Sequence, residues 1–113
     1  MDAAEFHALV YHVIRQIPYG KATSYGHIAK LMGLPNHSRH VGQALKFLGP
    51  DADVPWQRVV SSTGQISSRG PNTDGSERQR QALQAEGVEV VNMKVSWAQY
   101  GWFPDSVDLN VEA

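Results

Sequence analysis

The sequence predicts a mainly α domain, a helix-turn-helix (winged-helix-like) bundle with a small β hairpin. Three observations lead there. Apolar residues recur at helical spacing in three consecutive segments between Ala3 and Pro50, a turn containing Gly and Pro joins the second segment to the third, and short β-branched runs around a Gly-containing turn follow from Val54. A chain of 113 residues with 42% hydrophobic and 19% charged residues can fill one modest core, so a single domain is expected.

From Ala3 to Ile17, the residues Phe6, Leu9, Val10, Val13, Ile14 and Ile17 form an amphipathic stripe, and Asp2 is placed to cap it. The helix must stop before Pro18, because a residue preceding proline is pushed out of helical geometry; Tyr19-Gly20 then reads as a turn. Thr23 or Ser24 can cap a second, short helix carrying Tyr25, Ile28, Ala29, Leu31 and Met32 and ending at Gly33. After the Leu34-Pro35-Asn36 turn, Ser38 can cap a third helix, the candidate recognition helix. Val41, Ala44, Leu45 and Leu48 form its apolar side, and Gly49-Pro50 ends it. Gly42 costs this helix up to about 1 kcal/mol of propensity. Close packing on a neighbouring helix or close approach to a DNA backbone would each account for it.

Arg58-Val59-Val60 and Gln65-Ile66-Ser67 flank a turn from Ser61 to Gly64 and read as a hairpin that could serve as a wing. A loop from Ser68 to Gly75, a helix from Ser76 to Glu86 stopped by Gly87, and a short strand within Val88 to Val95 follow. Trp97, Tyr100, Trp102 and Phe103 show neither helical nor strand period and read as a cover over the core. The domain is expected to span residues 1–104, with 105–113 an acidic tail that frays.

A net charge of −1 argues against a bulk polyanion binder, but the charges are segregated. Between Phe6 and Pro50 lie Arg15, Lys21, Lys30, Arg39 and Lys46 with no Asp or Glu, an arrangement that suits a nucleic-acid face on the first half. The absence of cysteine excludes disulfides, thiolate nucleophiles and thiolate zinc sites. His7 with His12, and His37 with His40, lack a third ligand nearby, so neither metal nor cofactor is expected. No apolar run reaches membrane length, and the start from Met1 to Glu5 lacks the basic flank of a secretory signal. The expected location is cytoplasmic, at the nucleoid in a bacterium or in the nucleus of a eukaryote.

Five blocks occur in order: Ile17-Pro18-Tyr19-Gly20-Lys21, Ser24-Tyr25-Gly26-His27-Ile28-Ala29, Arg39-His40-Val41-Gly42-Gln43-Ala44, Val54-Pro55-Trp56-Gln57-Arg58-Val59-Val60 and Glu86-Gly87. Together they resemble the C-terminal, DNA-binding domain of O6-alkylguanine-DNA alkyltransferases, over about Phe6 to Gly87. The enzymes carry Pro-Cys-His-Arg where this chain reads Pro55-Trp56-Gln57-Arg58, and the tryptophan matches the non-catalytic alkyltransferase-like subgroup. Alkyl transfer needs a polarisable thiolate generated by a nearby base; an indole supplies no such nucleophile. Where the enzymes have a histidine that relays a proton toward the glutamate matching Glu86, Gln57 is an amide and cannot act as a base near neutral pH. No catalytic residue is therefore expected, and Glu86 is read as structural.

What the resemblance implies is a binding device for duplex DNA containing O6-alkylguanine. The helix-turn-helix would enter the minor groove, Tyr25 would help rotate the damaged nucleotide out, and Arg39 would fill the gap in the stack. Trp56, Tyr25, Arg69 and Val59 would form the lesion pocket, with Arg69 making a cation-π or hydrogen-bonding contact. Ser38, Gly42, Gln43 and Lys46 would complete the DNA-binding helix. The protein would act as a monomer, away from membranes, and hand the lesion to nucleotide excision repair proteins.

Each residue also has a plainer reading. Tyr25 can be a packing residue, Arg39 a solvated charge, Trp56 a core residue, and Arg58 a structural partner for Glu86 or Asp51. A winged-helix DNA-binding transcription regulator is the alternative function, although Arg39, His40, Gln43 and Lys46 do not make an obvious base-reading set. A glycosylase, or a transferase using another nucleophile, would have to work without the relay.

Overall fold

The computed structural model describes residues 1–49, 52–66 and 75–111. Helix α1 runs Ala3–Ile14, and Asp2 caps it by accepting a hydrogen bond from the Glu5 N–H at 2.8 Å. It ends one turn before the predicted Ile17. The approach to Pro18 tightens the chain, so the Gln16 and Ile17 N–H groups reach back three residues, to Val13 and Ile14. Ile17 is buried all the same.

Strand β1 (Thr23–Ser24) leads into α2 (Tyr25–Leu31), and of the two candidate caps it is Ser24 that accepts from the His27 N–H, at 3.0 Å. Gly33, at φ +78°, terminates α2: the Leu34 N–H bonds to the Ala29 carbonyl and the Gly33 N–H to that of Lys30. Helix α3 spans Ser38–Lys46. The cap predicted at Ser38 falls one residue earlier, at His37, whose side chain makes no capping bond, and the helix stops before Gly49-Pro50. Helices α2 and α3 pack on each other and both pack on α1, forming the predicted helix-turn-helix.

As far as Ile66, the hairpin expected across Arg58 to Ser67 does not pair arm to arm as strands; Ser67 and the expected loop as far as residue 74 lie outside the described residues. Trp56–Arg58 form a 3-10 turn, and β2 (Val59–Val60) pairs in parallel with β1, Thr23 opposite Val59 and Ser24 opposite Val60. The Ser61 to Gly64 turn does form, but Gln65 then bridges to Lys94. Helix α4 runs Gly75–Ala85 and ends at Gly87, φ +85°, with the Val88 N–H bonded to the Leu83 carbonyl. The single strand expected in 88–95 is itself a hairpin: β3 (Val90–Val91) and β4 (Lys94–Val95) are antiparallel, joined by Asn92 and Met93 at φ 53° and 60°. Two successive left-handed residues are what a tight two-residue turn requires.

Neighbouring side chains on a strand point to opposite faces, and β2 uses this to join two cores. Val59 enters a cluster with Val10, Val13, Ile14, Ile28 and Val41, whereas Val60 enters a second with Ala22, Ile66, Leu83, Val88 and Val95. The aromatic segment covers both: Trp97 and Tyr100 pack on the second cluster and Trp102 on the first. Its first turn is a short helix, α5 (Trp97–Tyr100), below the length at which periodicity registers. The tail expected to fray is held against the domain as far as Asp108. The Gln16 side chain accepts from the Asp108 N–H and donates to its carbonyl, at 3.0 and 2.7 Å, while Val107 packs on the first cluster. Among the described residues no helix is long and apolar enough to cross a membrane.

Candidate nucleic-acid interface

The exposed side of α3 carries the predicted DNA-contacting residues. Val41, Ala44 and Leu45 bury one face, which turns Arg39, Gln43 and Lys46 outward, with Ser38 and Gly42 half-buried at the margin. Arg39 has no ion-pair partner among the described residues, and no acid lies on this helix, so its outward charge is free to meet an anion. A β-carbon built on Gly42 would meet the Tyr25 ring at 3.9 Å, an ordinary contact. Packing inside the chain therefore does not demand a glycine there.

Tyr25 opens α2 and is half-buried, lying against the first core cluster. Trp56 begins the 3-10 turn and packs, also half-buried, on the same cluster. Val59 is fully buried, so its side chain can underlie a pocket but cannot line its open face. Arg69 lies outside the described residues, as does Asp51. Tyr25, Trp56 and Val59 thus share one core, with the first two leaving part of their surface open.

Behind Trp56 the chain is fixed by Glu86. One carboxylate oxygen accepts from the Gly20 N–H at 2.8 Å and from Arg58 Nε at 2.9 Å; the other accepts from Gln57 Nε2 at 2.6 Å. Arg58 also donates from a terminal guanidinium nitrogen to the Ile17 carbonyl at 2.8 Å, and its guanidinium lies over the Tyr19 ring. Burial pushes the Glu86 carboxyl up, but Arg58, the Gly20 amide and Gln57 more than reverse this, leaving it below the usual carboxylate range. Of the two predicted partners for Arg58, Glu86 is engaged, and Asp51 lies outside the described residues.

Sequence reasoning missed Gln79. Its side chain is buried in α4 and donates to the Gln57 and Val59 carbonyls at 3.1 and 2.9 Å, holding the backbone on both sides of Arg58. The signal was present: Gly75, Gln79 and Leu83 recur every four residues and form the buried stripe of α4. A cleft between the start of α1 and α3 was also missed.

The family described as "6-O-methylguanine DNA methyltransferase, DNA binding domain" matches residues 5–88. The chain is 43% identical to "Alkyltransferase-like protein 1" of Schizosaccharomyces pombe, over 92% of its own length and 100% of that protein. It is 45% identical to a "DNA base-flipping protein" of Vibrio parahaemolyticus, over 88% of its length and 98% of the relative. The crystal structure of S. pombe Atl1 in complex with damaged DNA containing O6-carboxymethylguanine superimposes with a TM-score of 0.86, at 42% identity, covering 92% of this chain and all of that one.

Proposed function

Because the chain belongs to the family of the 6-O-methylguanine DNA methyltransferase DNA-binding domain, alongside alkyltransferase-like and base-flipping relatives, we propose that it binds O6-alkylguanine in duplex DNA by turning the damaged nucleotide out, without accepting the alkyl group. The observation that carries this reading is Trp56. By the motif resemblance it stands where the enzymes carry their reactive cysteine, and Gln57 beside it is an amide hydrogen-bonded to Glu86.

Extrusion of a nucleotide costs a few kcal/mol of unstacking and unpairing, less where the O6-alkylguanine pair is already weakened. Tyr25 assists rotation, and Arg39 stacks in the gap left behind while its charge lies among the phosphates. Ser38, Gly42, Gln43 and Lys46 hold the backbone of the duplex. Trp56 offers the flipped base an apolar face and one N–H donor, Val59 supports it from below, and Arg69 closes the pocket through a cation-π or hydrogen-bonding contact. With no thiolate and no base in the relay, the lesion leaves the protein chemically unchanged. The complex, one protein molecule on one lesion in nucleoid or nuclear DNA, flags the site for nucleotide excision repair.

The test is binding to matched duplexes containing guanine or O6-methylguanine, together with a search for label transferred to protein. Preference for the lesion without transfer is expected. Equal affinity for both duplexes removes recognition, and labelled protein removes the non-catalytic reading. Sequence-selective protection of an undamaged operator would instead support the transcription regulator.

A further inference from the structure

The cleft between α1 and α3, about 520 Å³ in volume, is lined by rings: Phe6 and His7 from α1, His37, His40 and Phe47 from the α3 segment. Resting on the DNA-binding reading, we propose that His7, His37 and His40 form a proton-linked contact to the phosphate backbone beside the lesion site.

Placement is the first argument. The cleft shares Gln43 with the outward face of α3, and a smaller depression lined by Gln43, Lys46 and Phe47 continues along it. On a helix His40 is the neighbour of Arg39 and lies one turn before Gln43, so a duplex seated on Arg39, Gln43 and Lys46 brings a backbone strand past the imidazoles. Availability is the second. His37 and His40 ring centroids are 5.1 Å apart, both approach Phe6 at 6.2 Å, and His7 lies 5.0 Å from Phe47. His40 is exposed, and His37 Nδ1, though shielded from solvent, has no hydrogen-bond partner among the described residues. Among the described residues no group of three donors is arranged to hold a metal ion.

Charge supplies the linkage. Besides the three histidines, the titratable and charged groups on the elements around the cleft are the Met1 amino group, Asp2, Glu5, Tyr11 and His12 toward α1, and Arg39 and Lys46 on α3. Asp2 is the one acid lining the cleft among the described residues, and one of its oxygens is taken by the Glu5 N–H. A phosphate beside an imidazole favours its protonated form by charge attraction, so DNA binding takes up protons. Each added phosphate contact also steepens the salt dependence by about 0.9 in log K against log salt.

The experiment measures affinity for O6-methylguanine and guanine duplexes from about pH 5.5 to about pH 8, at several salt concentrations, within the range where histidine switches charge. Wild-type protein is expected to bind both duplexes about 3- to 10-fold tighter at pH 6 than at pH 8, with a steeper salt slope at the lower pH. The combined variant His7→Gln, His37→Gln, His40→Gln is expected to lose both effects while keeping its preference for the lesion. Should that variant not fold, each single glutamine variant is expected to reduce the proton uptake. Lesion-selective binding with a pH profile unchanged by the glutamines overturns the imidazole contact and leaves the recognition reading standing; no preference for the lesion at any pH overturns recognition alone if the pH effect persists, and both if it does not.

Discussion

Gln57 Nε2 lies 2.6 Å from Glu86 Oε2, so the position next to Trp56 donates a hydrogen bond to the carboxylate and offers it no exchangeable proton relay. Restoring a thiol alone should therefore restore little chemistry. Trp56→Cys is expected to show no transfer of label from an O6-alkylguanine duplex beyond the background of a surface thiol. The double variant Trp56→Cys, Gln57→His, which returns a base between thiol and carboxylate, is expected to exceed it. Efficient repair by the single variant would show that this carboxylate needs no imidazole to generate the thiolate.

Glu86 should set the acid limit of stability. Its folded carboxyl is held below the ordinary range, so its stabilising contribution is complete above the unfolded value of about 4.3 and is lost as pH falls through the lower folded value. Glu86→Gln removes the anion and leaves the Arg58 guanidinium, only 14% exposed, without its charge partner. Breaking a buried pair in this way costs about 3 to 5 kcal/mol. Denaturation followed at pH 7 and at pH 3 should show a large deficit at the first pH that narrows at the second; a deficit independent of pH would assign the loss to packing instead.

Much of this architecture was legible because its signals are local. Asp2, Ser24 and Gly33 punctuate helices whose apolar stripes repeat over at least one full turn, and the structure places α1, α2 and α3 within a few residues of where those signals put them. What misled was also local. Val59-Val60 followed by a Gly-containing turn reads as half a hairpin, whereas its partner, Thr23-Ser24, lies far back in the chain and runs parallel. Parallel pairing needs a long crossover and leaves no signature in neighbouring residues. Asn92-Met93 lacks the glycine that marks most two-residue turns, which hid the true hairpin. Of the site, Trp56, Tyr25 and Arg39 were legible through motif resemblance, while Gln79 acts only through the backbone of another segment and carries no motif.

Gln79 gives a direct test of how firmly the Trp56 turn is held. Gln79→Leu fills similar space but leaves the Gln57 and Val59 carbonyls without the side-chain donor, at a cost of about 1 to 3 kcal/mol. Chemical denaturation is the measurement, and stability equal to wild type would mean that water or backbone adjustment replaces both bonds.

Arg39 and Tyr25 separate binding from folding most cleanly. Arg39 is exposed on α3 and contributes nothing to either core cluster, so Arg39→Ala should leave the unfolding transition within about 0.5 kcal/mol of wild type. If its guanidinium occupies the gap left by the flipped nucleotide, the loss of stacking of about 1 to 3 kcal/mol weakens lesion binding roughly 5- to 150-fold. Arg39→Lys keeps the charge but loses the planar stacking surface, and it should recover the salt dependence of binding without recovering the affinity. Tyr25 packs on the first core, so Tyr25→Ala is expected to lose both stability and lesion affinity, and its binding must be compared at a temperature where the variant is fully folded. Wild-type affinity in folded Arg39→Ala and Tyr25→Ala proteins would remove both residues from nucleotide flipping. Equal losses on lesion and undamaged duplexes would reduce them to general backbone contacts.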